Sequence, residues 1–178
     1  MIVREATKPG TLIDDAHFSA DGRYRYWLTR AWAPSPWLNF ICLNPSTADA
    51  KTDDATVRKL RAFAQRWGFG GLFLTNLFAY RSTDPRGLRA ADDPVGPDND
   101  RWVATVASQA STIVVAWGAS CERARALRVL TLLDSIRVQP AAVGCLGLTK
   151  DGQPRHPLYM RGDTAIRPFI SKPRARLV

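Results

Sequence analysis

Four short groups in this sequence hold the residue types best suited to chemistry: Asn44-Pro45-Ser46, Asn76 to Arg81, Gly118 to Ser120, and Lys150 to Tyr159. Pro45 fixes its own φ and biases Asn44 toward an extended conformation, which aims the Asn44 side chain and the nearby amides beyond the apolar run before them. The same residues are equally suited to shaping a tight turn. Asn76 closes a run of Leu and Phe. Its side-chain amide offers both a donor and an acceptor, which suits a pyrimidine or amide edge and also suits a neighbouring loop backbone. His156 lies between Arg155 and Pro157, where an imidazole can donate a hydrogen bond to a developing oxyanion. Asp49, Asp53 and Asp54 follow the first turn. They can orient or deprotonate a water, or simply cap a helix and interact with its dipole.

The elements between these groups must bring them together. Tyr24, Tyr26 and Leu28 alternate with Arg23, Arg25 and Thr29 after the turn Ala20-Asp21-Gly22, which predicts a β-hairpin. Trp37 to Leu43 is apolar except for Asn39 and reads as a strand buried on both faces. Thr52 or Asp53 is placed to cap the next helix. Val57, Leu60, Phe63, Ala64 and Trp67 recur at spacings of three and four, so an amphipathic helix is expected over about 54–67. Leu72 to Thr75 is a second buried strand. A short helix opens at Asp84-Pro85, and another runs from Pro97 to about Ala110, with Trp102, Val103, Val106 and Ala110 inward. Thr112 to Trp117 is a third strand. Ser120 to about Arg137 forms a long helix packed through Ala124, Leu127, Leu130 and Leu133, and Ala142 to Leu148 is a fourth strand.

This alternation predicts a three-layer α/β/α domain with a central four-stranded parallel sheet, plus an N-terminal β-hairpin. Ligands of such sheets bind beyond the carboxyl ends of the strands, which is where the four groups fall. One domain is expected over residues 1–178, with 1–10 and about 165–178 as loose ends.

Composition narrows the class. Hydrophobic residues make up 46% of the 178, including six Trp and seven Phe, enough for a sizeable core. The net charge of +9 favours a polyanionic partner such as nucleic acid. Cys42, Cys121 and Cys145 are odd in number and far apart, so neither a disulfide framework nor a structural metal site is supported. No cofactor is implied. No apolar run approaches about 18 residues, and the N-terminus lacks a signal-type apolar core. The expectation is a cytoplasmic protein that does not engage membranes and acts as a monomer.

The stretches Cys42-Leu43-Asn44-Pro45-Ser46-Thr47-Ala48-Asp49, Asp53-Asp54, Asn76-Leu77-Phe78-Ala79-Tyr80-Arg81 and Arg155-His156-Pro157-Leu158-Tyr159 together resemble a family of bacterial and phage proteins of unassigned function, over nearly the whole chain. At greater distance the layout resembles the uracil-DNA glycosylase superfamily. That resemblance implies its fold and a hydrolase activity in DNA repair, with removal of an altered base after base flipping. By it, Asn44 positions the attacking water, with Asp49 or Asp53. Asn76 reads the base in a pocket shared with Pro45, Ser46 and Phe78. His156 stabilises the leaving base, and Leu158 or Tyr159 wedges the duplex. Arg81, Lys150 and Arg155 are then available for flanking phosphates. Ser46 stands where the superfamily has a small Gly, and residues 47–56 contain no aromatic to stack on a flipped base.

Three functions remain in view. The first is a DNA-directed N-glycosidase acting on a damaged or modified pyrimidine. The second is a non-catalytic binder of modified or mismatched nucleic acid. The third is an N-glycosidase acting on nucleotides or RNA.

Overall fold

The computed structural model describes residues 13–136 and 143–169. The expected loose end at 1–10, the part beyond 169 of the one expected at about 165–178, the helix end at Arg137 and the strand start at Ala142 lie outside the described residues; within 165–169 the chain is not loose but forms a strand at Arg167–Pro168. In chain order the elements are β1 (Ile13–Phe18), β2 (Arg25–Ala31), β3 (Trp37–Cys42), α1 (Ala55–Arg66), β4 (Gly71–Asn76), α2 (Pro85–Ala90), α3 (Asn99–Ala107), β5 (Thr112–Val115), α4 (Arg123–Ser135), β6 (Val143–Cys145) and β7 (Arg167–Pro168). A 3-10 turn, Pro157–Tyr159, precedes β7.

All seven strands form one sheet in the order β1-β2-β4-β3-β5-β6-β7. Strands β4, β3, β5 and β6 are mutually parallel. The sheet is nevertheless mixed and larger than the four strands expected. The hairpin is not an appendage: β2 pairs antiparallel with β4, Leu28 opposite Leu74 and Ala31 opposite Gly71. Every residue of β2 is buried, so the strand can be satisfied only by neighbours on both edges and both faces. At the other side β7 adds antiparallel to β6. The chain passes from β3 outward to β4, then back across β3 to β5, so the strand order reverses between β3 and β5. In open α/β sheets that is where ligands bind.

Successive strand residues point to opposite faces, and the core divides accordingly. Leu38, Phe40, Leu72, Leu74 and Val114 pack against Val57, Leu60, Phe63 and Ala64 of α1. Ile41, Ile113, Val115 and Cys145 pack against α3 and α4 through Val103, Ala107, Ala126, Val129 and Leu133. Phe63 is 1% exposed; truncating such a side chain to Ala costs about 3–5 kcal/mol.

Three local expectations are corrected. Helix α1 is capped by Asp54, whose Oδ1 accepts from the Val57 amide at 2.8 Å, and not by Thr52 or Asp53; the Asp53 carboxylate is taken by Arg30 at 2.8 Å. Helix α4 buries Arg125, Ala126, Val129 and Leu133, while Leu127 is 55% exposed. Its rotation is fixed by Arg125, which donates to the Leu77 carbonyl at 2.7 Å and pairs with Asp100 at 2.6 Å. Trp102, expected inward on α3, is only half-buried.

Strand β2 pairs irregularly with β1. His17 lies opposite Trp27 and Phe18 opposite Arg25, which leaves Tyr26 unopposed. Such a bulge shifts the phase of alternation and re-aims side chains. Arg25 is 1% exposed, as is Arg30. Both guanidinium groups reach the segment between β3 and α1.

Candidate functional site at the carboxyl ends of the parallel strands

The turn after β3 is sewn to the loop after β4. The Asn44 amide nitrogen donates to the Pro45 carbonyl at 3.0 Å and to the Ser82 carbonyl at 2.8 Å. The Ser82 amide donates back to the Pro45 carbonyl at 3.0 Å. Pro45 is buried, and Asn44 and Ser46 are half-buried. Asn44 therefore shapes the turn through its nitrogen.

The carboxylates that follow take three different parts. Asp49 accepts from the Lys51 and Thr52 amides, both at 2.8 Å, and these bonds hold its carboxyl below the usual range. Its carbonyl accepts from Arg30 at 2.6 Å. Asp53 is the ion-pair partner of Arg30. Asp54 caps α1 and lies close enough to both Arg25 and His156 to act on each electrostatically. The structure thus directs Asp49 and Asp53 toward Arg30, and Asp54 toward the strand ends.

Asn76 lies on the α1 face, paired in register with Cys42, and is 1% exposed. Its side-chain Oδ1 accepts from Arg25 Nη2 at 3.3 Å, while Arg25 Nη1 donates to the Ala48 carbonyl at 3.0 Å. The Asn76 amide nitrogen and Arg25 Nε are both buried without a hydrogen-bond partner. Burial lowers the Arg25 pKa to about 10, opposed by the nearby Asp54. Burial also pushes the Cys42 thiol up to about 12, so Cys42 is an inert apolar neighbour. Leaving a buried donor unpaired costs about 1–3 kcal/mol, so the Asn76 nitrogen is a place where a ligand acceptor would be rewarded.

His156 enters from the loop after β6. The Gly118 amide donates to the Pro154 carbonyl at 2.9 Å, which seats that loop against the end of β5. Gly118 has φ +83°, and a Cβ there would lie 3.3 Å from the His156 Cβ, so glycine suits both the backbone and the close approach. The 3-10 turn packs against α1. His156 caps this turn, its Nδ1 accepting from the Leu158 amide at 3.4 Å. Burial lowers the imidazole pKa below its ordinary 6.5, with Asp54 opposing. Neutral imidazole accepting at Nδ1 carries its proton on Nε2. Beside it Leu158 is 45% and Tyr159 82% exposed. Arg155 and Lys150 are exposed, with Arg155 Nε donating to the Leu148 carbonyl at 3.1 Å.

An open cleft of about 540 Å³ borders the first turn, lined by Gly22, Arg23, Ser46, Thr47, Tyr80 and Arg81 to Thr83. Arg81 is held over the Phe18 ring at 5.0 Å and donates to the Gly22 carbonyl at 3.1 Å. The cleft offers cations and hydroxyls, the groups that hold phosphates.

Asn76, Arg25, Asp54 and His156 gather around one end of the α1 face. Ser46 and Arg81 border the cleft between the two strand-end loops, and Asn44 bonds to the Ser82 carbonyl in its wall. Phe78 is not with either set: it is 6% exposed in the core with Ile41, Leu77 and Val103. Arg25 is the site residue that sequence reading missed. Among the described residues no group of three or more His, Cys, Asp or Glu is placed to hold a metal ion, and no helix is long and apolar enough to cross a membrane.

Residues 25–158 match a family model described as protein of unknown function (DUF1643). No curated protein and no solved structure matches the chain.

Proposed function

The chain belongs to the DUF1643 family, whose function is unknown, and we propose that it binds nucleic acid across the carboxyl ends of its parallel strands and hydrolyses the N-glycosidic bond of an extruded, altered pyrimidine. One observation carries this reading: the unpaired, fully buried amide nitrogen of Asn76. A turned-out base brings a carbonyl that satisfies it. Arg81 and Arg23 in the cleft, with Lys150 and Arg155, hold flanking phosphates. Leu158 and Tyr159 are exposed apolar side chains beside these cations, and they fill the gap that the base leaves. The resemblance to uracil-DNA glycosylases that suggests this chemistry rests on the motifs alone.

In the reaction a water oxygen bonds to the sugar carbon as the carbon–nitrogen bond breaks and its electron pair leaves with the base. The Asn44 carbonyl oxygen holds the water. Neutral His156 donates from Nε2 to the charge growing on the base. The proton lost by the water passes to a carboxylate, and Asp54 is the one that acts on His156. A cytoplasmic setting accords with three free cysteines, and the protein acts as a monomer.

A second reading keeps the binding and omits the cleavage. It is favoured by the Asn44 nitrogen being committed to two backbone carbonyls and by Asp49 and Asp53 being engaged elsewhere. An abasic-site assay on single strands and duplexes carrying uracil or modified pyrimidines separates the two. Excision that disappears in His156→Ala supports hydrolysis. Tight binding with no excision across the panel supports the binder. Absence of both removes the nucleic-acid reading.

A further inference from the structure

The margin of the sheet beyond β6 carries a second cleft. Its construction starts at Gly144. A Cβ there would collide with Ile166 Cγ2, so glycine lets β7 close on β6 with Arg167 opposite Cys145. The turn before β7 is closed by Thr164, whose amide and hydroxyl donate to the Arg161 carbonyl at 3.2 and 2.8 Å. Trp67, at the end of α1, donates from Nε1 to the Thr164 carbonyl at 3.1 Å and pins that turn. The loop after β6 supplies the other side. There the Arg155 amide donates to the Gly147 carbonyl at 2.9 Å, and Arg155 Nε donates to the Leu148 carbonyl at 3.1 Å. A cleft of about 580 Å³ lies between the two segments.

The guanidinium groups of Arg155, Arg161 and Arg167 line it, with a single carboxylate, Asp163. That carboxylate is engaged: Arg161 Nε and Nη2 donate to its two oxygens at 3.2 and 3.3 Å. The terminal nitrogens of Arg155 and the whole guanidinium of Arg167 have no hydrogen-bond partner among the described residues. Three cations against one carboxylate leave two positive charges uncompensated. A phosphodiester within a strand carries one negative charge, whereas a terminal phosphate carries about 1.5 to 2 at neutral pH. The cleft therefore matches the terminal group. Its volume exceeds what a phosphate needs and falls in the range of sites for whole small ligands. Leu146, 1% exposed, and half-buried Met160 give it an apolar side. Gly147 keeps that side open, because a Cβ there would stand 3.7 Å from Met160 Cε and 3.8 Å from Arg155 Cδ, between the apolar and the cationic groups.

We infer that this cleft binds the terminal phosphate of a nucleotide, with Arg155, Arg161 and Arg167 on the phosphate oxygens and the sugar or base against Leu146 and Met160. Forked guanidinium donors take phosphate oxygens in pairs. A free nucleoside monophosphate and the phosphorylated end of a strand share this group. That the phosphate belongs to a nucleotide rests on the nucleic-acid reading above; the cationic cleft stands without it. Excision of a base needs no strand end, so the cleft adds a second point of recognition that shares only Arg155 with the first.

The test is calorimetric titration of the full chain with inorganic phosphate, thymidine, thymidine 5′-monophosphate, and a short oligothymidylate with and without a 5′-phosphate. Wild type is expected to bind the phosphorylated strand about tenfold more tightly than the unphosphorylated one, and the monophosphate more tightly than thymidine or inorganic phosphate. With Arg161→Gln and Arg167→Gln combined, the preference for the phosphorylated strand falls to near one. Both side chains are exposed, so the fold is retained. A monophosphate bound as tightly as the phosphorylated strand supports the free nucleotide as ligand, and a strand bound more tightly supports the strand end. Binding of the monophosphate but of neither strand supports the inference and removes the strand reading. Equal affinity for both strands with no binding of the monophosphate overturns the inference and leaves the nucleic-acid reading standing. Inorganic phosphate bound as tightly as the monophosphate, or a preference that persists in the double variant, also overturns it. No binding of any probe overturns both. Met160, one of two methionines in the chain, gives a check on wild type alone. Its labelled methyl resonance is expected to move on adding the monophosphate, and a resonance that stays in place at saturation overturns the inference.

Discussion

Arg30, 1% exposed on β2, closes on Asp53 at 2.8 Å. The pair joins β2 to the entrance of α1, and the same guanidinium holds the Thr29 and Asp49 carbonyls at 2.9 and 2.6 Å. Asp53→Asn leaves a buried cation with only the more distant Asp14, at 4.0 Å, as counter-charge. Such a break costs about 3–5 kcal/mol at a fully buried pair; Asp53 keeps some exposure, so about 2–3 kcal/mol is expected here. Urea unfolding monitored by tryptophan fluorescence gives the figure. A loss below about 0.5 kcal/mol, the range of ordinary surface substitutions, combined with loss of excision, would instead mark Asp53 as a residue of the chemistry.

His156 ties stability to pH. Its folded pKa lies below the ordinary 6.5 because burial disfavours the imidazolium. The unfolded chain therefore takes up the proton first as pH falls through 6.5. Stability from this group is complete above that value and is lost as pH falls through the folded pKa. Proton resonance titration is expected to place the His156 midpoint below 6.5, with the proton on Nε2. A midpoint above 6.5 contradicts the described burial. His156→Gln should flatten this part of the stability profile.

Arg81 provides the clearest electrostatic readout. Its guanidinium is placed at the cleft by Phe18 and the Gly22 carbonyl, so Arg81→Ala removes a cation without opening the core. Affinity for any strand sequence is expected to fall uniformly, and the slope of log affinity against log salt to shrink by about 1. Fluorescence anisotropy between about 50 and 200 mM salt measures it. An unchanged slope excludes Arg81 from phosphate contact.

Tyr159, at 82% exposure, contributes little to folding, and Tyr159→Ala should leave stability within about 0.5 kcal/mol. If it occupies the space of an extruded base, duplex affinity drops while single-strand affinity holds. 2-Aminopurine fluorescence next to the target position then loses its increase on binding. Equal affinities in the variant and wild type for duplex would remove Tyr159 from the interface.

Much of this arrangement was legible in the sequence. The four parallel strands announced themselves as apolar runs, and the positions of Asn44, Asn76 and His156 followed from the rule that such strands end at one edge. What stayed hidden depends on partners distant in sequence. The burial of Arg25 was not legible because alternation assumes regular pairing, and a single unopposed residue, Tyr26, breaks that assumption. The cap of α1 was expected at Thr52 or Asp53 and lies at Asp54, because Arg30, more than twenty residues earlier, claims Asp53. Phe78 was grouped with the base-binding residues through its motif, whereas the peptide turns it into the core beside Val103.

The outer strands of the sheet carry a consequence for self-association. An unpaired strand edge invites another chain to continue the sheet. One margin is β1, where Asp14 and Asp15 are exposed, so a second copy docking there meets its own negative charge. The other is β7, only two residues long and ending in Pro168, whose missing amide proton cannot extend a ladder. Among the described residues both margins thus disfavour a further strand, two carboxylates at one end and a proline at the other.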